Sequence, residues 1–176
     1  LRRLIDLYPG DTSGDNAYRR LASIHRRRSE TDDEEQTLER YASYDSDATD
    51  VFVRLIELAR ERDDREALKR NAGRLMAVNP LTPIPHSALA FAAEQEDDHA
   101  SAVTAYQSLL ELSPNDPATV HFGLAKHLAA TGESQEAKRH SLQALEVAPR
   151  YREAQRLLLR LTSIRPAEDS VDSPPQ

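Results

Sequence analysis

The chain has 176 residues, with 30 acidic and 23 basic side chains and a formal net charge of −7. This acidic balance argues against a general nucleic-acid binder, which needs a basic face. The absence of cysteine excludes disulfides, thiol catalysis and cysteine-ligated metal, while leaving the redox compartment open. No apolar run approaches the roughly 20 residues of a membrane span, so we expect neither a nucleic-acid nor a membrane partner.

The first segment, LRRLIDLYP, has the pattern of the second helix of a helix pair whose first helix precedes Leu1. Since the chain also lacks an initiator methionine, we expect it to be the C-terminal part of a longer protein. The missing leader then says nothing about export, and the compartment stays open, with the cytoplasm preferred. Truncation leaves this helix unpaired on one side, which makes self-association through the N-terminal edge a possibility.

A sequence segment that ends in proline recurs along the chain at a nearly fixed interval. Pro80, Pro114 and Pro149 are separated by 34 and 35 residues, and each closes an apolar helical pattern. Such a period is typical of helical solenoids, whose units bury their apolar faces against neighbours. We predict one domain over residues 1–164 and a disordered tail over 165–176. Within the domain we predict a half repeat at 1–9, repeats at about 15–48, 49–82, 83–116 and 117–150, and a capping helix at 151–164.

The repeats carry small residues at characteristic positions. Ala102 and Ala137 lie near the start of a second helix, Gly132 lies in a turn, and Leu-Ala pairs occur at 21–22, 89–90 and 124–125. In these features the chain resembles the tetratricopeptide repeat (TPR) family. It departs from the family pattern at His86 and His121, where a tryptophan is often found. The resemblance implies an all-α, right-handed superhelical solenoid of antiparallel helix pairs with a C-terminal capping helix.

In the family that the chain resembles, the first helix of each repeat lines a concave face. That phase predicts a partner-binding set of Arg19, Arg26, Arg60, Phe91, Phe122, Lys126, Arg156 and Arg160. An apolar centre flanked by guanidinium groups suits an extended or helical peptide that carries acids. In the alternative, both phenylalanines point into the helix stack and the arginines only solvate it. Arg19, Ser23 and Arg54 replace the lysine and asparagine clamp of the chaperone-tail-binding members, which argues against that subtype.

Two local patterns have more than one interpretation. Residues 26–28 are three arginines, which either bind phosphate or complement the acidic start of the next helix, where Thr31 and Glu34 fit a capping box. We prefer the charge-complemented turn. Gly123 lies inside a predicted helix, where glycine costs about 1 kcal/mol relative to alanine. Close backbone approach by a neighbouring helix explains it better than a groove opening.

No catalytic constellation is present in the sequence. It has no His-Glu-x-x-His pattern, glycine-rich phosphate loop or Gly-x-Ser-x-Gly elbow, and its carboxylate clusters fall at turns, where water screens them. His86 and His121 occupy equivalent repeat positions and could share a metal. Because no third ligand is evident, we expect both to be packing residues. We therefore expect no enzymatic activity, no cofactor and no metal.

Two functions fit these features. The first is a protein–protein interaction scaffold whose concave face holds a partner peptide or segment and suits an acidic one. The alternative is a structural or regulatory domain at the C-terminus of a larger enzyme, packing on its own chain with no independent ligand. High arginine and alanine with little lysine indicate a GC-rich bacterial source.

Overall fold

The computed structural model describes residues 1–163, and these form ten helices and no strand. The predicted tail at 165–176 lies outside the described residues. The helices are α1 (Arg2–Leu7), α2 (Ala17–Arg27), α3 (Thr31–Ala42), α4 (Thr49–Glu61), α5 (Arg65–Val78), α6 (Pro83–Gln95), α7 (His99–Glu111), α8 (Pro117–Ala130), α9 (Ser134–Val147) and α10 (Arg152–Ser163). The prediction of an all-α helical repeat is confirmed. Among residues 1–163, none of the helices has the length and hydropathy of a membrane-spanning segment.

Turns between successive helices repeat a backbone conformation as well as a sequence pattern. Ser29, Asp63, Asp97 and Gly132 all have positive φ angles, of 57°, 54°, 53° and 90°. They lie in the turns after α2, α4, α6 and α8, at intervals of 34, 34 and 35 residues. Glycine adopts this left-handed conformation at little cost, whereas serine and aspartate are less suited to it. The interval of 34 to 35 residues is therefore preserved in the backbone conformation, even at the three turns where serine or aspartate replaces glycine.

Polar side chains and prolines define several helix starts. Asn16, Asp64 and Asp116 each accept a hydrogen bond from a backbone N–H in the first turn of α2, α5 and α8. Such caps satisfy donors that have no partner inside the helix. Pro83 and Pro117 are the first residues of α6 and α8, where the missing N–H of proline costs no hydrogen bond.

The chain divides into two compact units, with the boundary between Asp98 and His99. Unit 1, Leu1–Asp98, contains α1 to α6, in which each helix packs on the next and α4 also contacts α6. Its core includes the stacked rings of Tyr18 and Tyr41, whose centroids are 5.5 Å apart, and the buried side chain of Phe52. This boundary falls inside the third predicted repeat, between α6 and α7. The single domain over 1–164 and its internal repeat limits stay predictions.

Unit 2 begins at His99 and contains α7 to α10. Helix α8 packs against α7, α9 and α10, and α10 also packs against α9. The buried core of this unit comprises Leu124, Ala125, Leu128, Ala137, Leu157 and Leu161. Leu157 and Leu161 come from α10, so the helix predicted as a cap buries its apolar stripe within the unit.

Two local predictions need correction. The capping box at Thr31 and Glu34 is wrong, because α3 has Glu30 at its N-cap with no side-chain cap hydrogen bond. Glu34 is buried and binds Arg54 instead. At Gly123 the close neighbour is the ring of Tyr106 on α7 rather than a helix backbone, with the ring Cζ only 2.4 Å from an ideal β-carbon position.

Candidate functional site

The predicted binding arginines of α2 are paired with acids on α4. The guanidinium of Arg19 makes a two-pronged contact with Asp50, in which Nη2 lies 2.9 Å from Oδ1, and its Nε donates to the Tyr41 hydroxyl at 3.2 Å. Hydrogen bonding to Asp50 raises the pKa of Arg19 above its usual value. Arg26 lies 4.0 Å from Glu57 and stays largely exposed. Both arginines therefore have acidic partners within their own unit.

Arg60 and Phe91 contact each other inside unit 1. The guanidinium carbon of Arg60 lies 5.0 Å from the centre of the Phe91 ring, and its Nη2 donates to the Ser87 carbonyl at 3.4 Å. Phe91 is partly buried and packs against the unit 1 core. A cation over an aromatic face is a stabilising arrangement, so this pair links α4 to α6. For these unit 1 residues the structure favours internal packing over a free binding surface.

A buried ion pair that the sequence pattern did not indicate joins α3 and α4. Arg54 Nε donates to Glu34 Oε1 at 2.7 Å and Nη2 donates to Oε2 at 3.0 Å. The Glu34 side chain is only 2% exposed. Arg54 also contacts Glu57 at 2.9 Å and Glu61 at 3.6 Å. In the sequence Arg54 shares a helix face with Glu57 and Glu61, three and seven residues further on, and this local pattern does not identify Glu34 as its buried partner.

The other four predicted binding residues meet around one depression of about 630 Å³ in unit 2. We call it the α8–α10 groove. Its lining residues are Phe122, Lys126, Glu153, Arg156, Leu157, Leu159 and Arg160. The prediction from repeat phase thus identified residues that are neighbours in space.

The aromatic and apolar residues that line the α8–α10 groove differ in how far they are buried. Phe122 is partly buried, and its ring lies 5.0 Å from that of Tyr151 at an angle of 51°. Burial raises the pKa of the Tyr151 hydroxyl. Leu157 is buried, whereas Leu159 is 66% exposed at the groove. The site therefore combines an aromatic surface with apolar side chains still open to solvent.

Three cationic side chains surround this apolar surface. Lys126 is exposed on α8, and Arg156 and Arg160 are exposed on the same face of α10, four residues apart. Within residues 1–163, neither Arg156 nor Arg160 is paired with a carboxylate, in contrast to Arg19 in unit 1. Glu153 adds one acid to the lining. The rim can therefore accept negatively charged groups.

Histidines form two close pairs in unit 2. His121 Nδ1 lies 3.0 Å from His140 Nδ1, and His99 Nδ1 lies 3.1 Å from His127 Nδ1. Burial lowers the pKa of both His121 and His140. His86, predicted as an equivalent of His121, bonds the Pro80 carbonyl at 3.0 Å within unit 1. Repeat spacing gave no signal for these pairs, because each joins two different helices.

No protein-family model and no curated protein matches the sequence. Solved structures do resemble it. A MamA protein is 14% identical, with 83% of this chain and 79% of that chain covered and a TM-score of 0.71. YrrB, described as a TPR protein with an unusual peptide-binding site, is 12% identical over 86% and 76%, with a TM-score of 0.65.

A third similar structure is the first TPR of Spaghetti (RPAP3) bound to the HSP90 peptide SRMEEVD. It is 18% identical, with 68% of this chain and 94% of that chain covered and a TM-score of 0.58. At these identities the likenesses establish architecture alone. This chain has the all-α helical-repeat fold of tetratricopeptide-repeat proteins.

Proposed function

We propose that the protein is an interaction scaffold whose α8–α10 groove binds an acidic, partly apolar segment of a partner protein. The carrying observation is the combination of exposed Arg156 and Arg160 with the apolar surface of Phe122 in one depression of about 630 Å³. An aromatic anchor beside arginines is a common composition for the energetic centre of an interface. Unit 1 contributes less to partner binding, because Arg19 is paired with Asp50 and Arg60 packs over the Phe91 ring within that unit.

The spacing of the two arginines favours a particular pattern of acids. Four residues along an α-helix correspond to about 6 Å. Side chains two residues apart on an extended strand are separated by about 7 Å and point the same way. Carboxylates at alternate positions of an extended segment therefore match Arg156 and Arg160, and each guanidinium can hold a carboxylate through two parallel hydrogen bonds. An apolar residue of the same segment would cover Phe122 or Leu159.

Two of the similar structures support the proposal that a protein of this fold binds a peptide segment. The RPAP3 domain is bound to a peptide, SRMEEVD, that contains three acidic residues, and YrrB is described as having a peptide-binding site. The proposal itself depends on the groove of this chain. It differs from the sequence-based expectation in confining the site to unit 2 rather than extending it along every repeat.

The test uses fluorescence anisotropy with a labelled peptide that has two glutamates at alternate positions beside a leucine, and a matched peptide with glutamines. The glutamate peptide is expected to bind more tightly, and added salt should weaken it because charge contacts are screened. Arg156→Glu/Arg160→Glu should abolish this preference. Arg150→Glu/Arg152→Glu changes the net charge equally on exposed residues outside the groove, and should retain it. No glutamate preference, or equal loss in both variants, would contradict the proposal.

A second candidate is favoured by the exposed face of α1. Leu4, Leu7 and Tyr8 are 46%, 62% and 63% exposed, while Ile5 of the same helix is buried. Neighbouring apolar side chains left in water mark a contact surface. We propose that this face packs against a second copy of the chain. Sedimentation velocity is expected to show a dimer that Leu4→Ser/Leu7→Ser dissociates and Leu81→Ser, a change at another exposed leucine, does not. A monomer at all concentrations would reject it.

A further inference from the structure

The contact between His121 on α8 and His140 on α9 brings two imidazole nitrogens within hydrogen-bond distance. Their Nδ1 atoms are 3.0 Å apart, with ring centroids 5.2 Å apart and ring planes inclined by 24°. A separation of this size leaves room for one proton between the two nitrogens. At least one Nδ1 must therefore present a lone pair, and a neutral imidazole with a free lone pair is the form that binds metal.

We propose that His121 and His140 bind one divalent transition-metal ion, Cu²⁺ or Ni²⁺, through their two Nδ1 atoms. With metal–nitrogen bonds of about 2.0 Å, a nitrogen separation of 3.0 Å corresponds to an angle of about 95° at the metal. That angle fits adjacent corners of a square-planar or octahedral site better than the wider tetrahedral angle of zinc. The metal takes the place of the proton between the two Nδ1 atoms, and that proton moves to Nε2 of its own ring, so two neutral imidazoles bind the ion with no net release of protons.

The solvent exposure of His121 and His140 and the charges around them are compatible with a bound metal ion. His140 is 9% exposed and His121 is partly exposed, so solvent can complete the coordination. The carboxylate of Glu146 lies near enough to His121 to raise its pKa, against the stronger lowering caused by burial. Arg139 has the opposite effect, and its guanidinium is paired with Glu136 while its Nη2 also lies 3.5 Å from His140 Nε2, so it must turn fully to Glu136 when that nitrogen carries the proton. The local charges therefore include two acids against one arginine.

A buried acceptor beside His140 suits the metal-bound tautomer. When Nδ1 binds a metal, the proton of the imidazole lies on Nε2 and is normally donated to an oxygen. The side chain of Gln143 lies within hydrogen-bonding reach of His140 and raises its pKa against the stronger lowering caused by burial, and its Oε1 is buried. Gln143 can therefore accept from Nε2–H and orient the ring. No third ligand was evident from the residue pattern, so no metal was predicted, but two nitrogens with solvent ligands meet the needs of Cu²⁺ or Ni²⁺.

Two other histidine clusters are less suited to an ion. His127 of the His99–His127 pair is 1% exposed and lies against the Tyr106 ring, with centroids 5.9 Å apart, so solvent ligands have little access to it. His25, Glu30 and Asp33 bring three ligand atoms within 4.8 Å of one another. There Glu30 lies 3.8 Å from Arg28 and Asp33 lies 3.2 Å from Arg2, so cations already neutralise both acids. One ion per chain is therefore expected.

The test is calorimetric titration of the untagged full chain with CuCl₂, NiCl₂ and ZnCl₂ at neutral pH. We expect one Cu²⁺ or Ni²⁺ per chain, with zinc weaker, and an affinity loss of about tenfold or more in His121→Gln and in His140→Gln. His99→Gln, His25→Gln and His86→Gln should retain binding. Circular dichroism checks that each variant is folded.

The electron paramagnetic resonance spectrum of the Cu²⁺ complex gives an independent readout. Hyperfine structure from two histidine nitrogens is expected in the parent chain and from fewer in either substituted variant. The proposal is overturned if no ion binds, if both His121→Gln and His140→Gln bind as the parent does, or if the signal disappears in His25→Gln or His99→Gln instead.

Discussion

The aromatic ring of Tyr106 on α7 occupies the space into which a β-carbon at Gly123 on α8 would project. The ring atoms Cζ and Cε1 lie 2.4 and 2.6 Å from that position, and the hydroxyl oxygen Oη lies 2.8 Å from it. Glycine inside a helix normally weakens it, so this residue is explained by its neighbour and not by helix propensity. The tyrosine also stacks near His127, which limits how far its ring can move away.

Replacement of Gly123 by alanine is expected to destabilise unit 2 by about 1–3 kcal/mol, because the added methyl group overlaps the Tyr106 ring. The free energy of unfolding from urea denaturation measures this cost. Gly73 is the matched control, since it lies inside α5 with nothing within 4 Å of its β-carbon position. Gly73→Ala should stabilise the protein by about 0.5–1 kcal/mol. Equal effects of the two substitutions would contradict the role of Tyr106.

The Arg54–Glu34 pair gives a second prediction. Arg54→Ala leaves the carboxylate of Glu34 buried without its cation, which is expected to cost about 3–5 kcal/mol of unfolding free energy. Arg54→Met/Glu34→Leu removes both charges while keeping apolar volume, and should be closer to the parent in stability. Urea denaturation of Arg54→Met, Glu34→Leu and the double variant completes a double-mutant cycle that measures the coupling. If the single and double variants lose the same stability, the pair does not hold α3 to α4.

Acid should weaken unit 2 through His121 and His140. Burial lowers the pKa of both histidines, so the unfolded chain binds protons more readily than the folded protein below the ordinary pKa of 6.5. The contribution of the two histidines to the free energy of unfolding should be fully present above about pH 6.5. It should be lost as the pH decreases from there through their lowered pKa values, by up to about 1.4 kcal/mol per pH unit for each histidine. Glu146, Glu136 and Arg139 are the charged groups that act on the pair.

Urea unfolding midpoints measured at several pH values above and below 6.5 test this dependence. His121→Gln/His140→Gln should flatten the profile in that window, because the groups with lowered pKa are gone. A parent profile that keeps its slope in the double variant would assign the acid sensitivity to other groups.

The three phenylalanines should respond differently to truncation. Phe52 is 2% exposed in the unit 1 core, so Phe52→Ala is expected to cost about 3–5 kcal/mol. Phe122 is only partly buried at the α8–α10 groove, so Phe122→Ala should cost less stability and weaken peptide binding. Phe91→Ala should fall between them, since Arg60 covers its ring. A loss at Phe122 as large as at Phe52 would make it a core residue and not a groove residue.

Much of the repeat architecture could be predicted from local sequence. Proline ends or begins a helix through its missing N–H and fixed φ, and capping side chains such as Asp116 act within three residues. The apolar period and the Leu-Ala pairs were therefore sufficient to predict helix pairs at intervals of about 34 residues. The same phase grouped Phe122, Lys126, Arg156 and Arg160, because helices in register expose equivalent faces.

What the sequence by itself determined was thus the helices, their period and the surface each one offers. Only the tertiary structure decided which side chain meets each residue of that surface. Asp50 lies 31 residues from Arg19, and His140 lies 19 residues from His121, and nothing in either local pattern selects the other. Helix periodicity fixes the direction of a side chain, but pairing across helices depends on how the helices pack. That packing leaves Arg156 and Arg160 exposed around a groove, while it pairs Arg19 and buries Glu34.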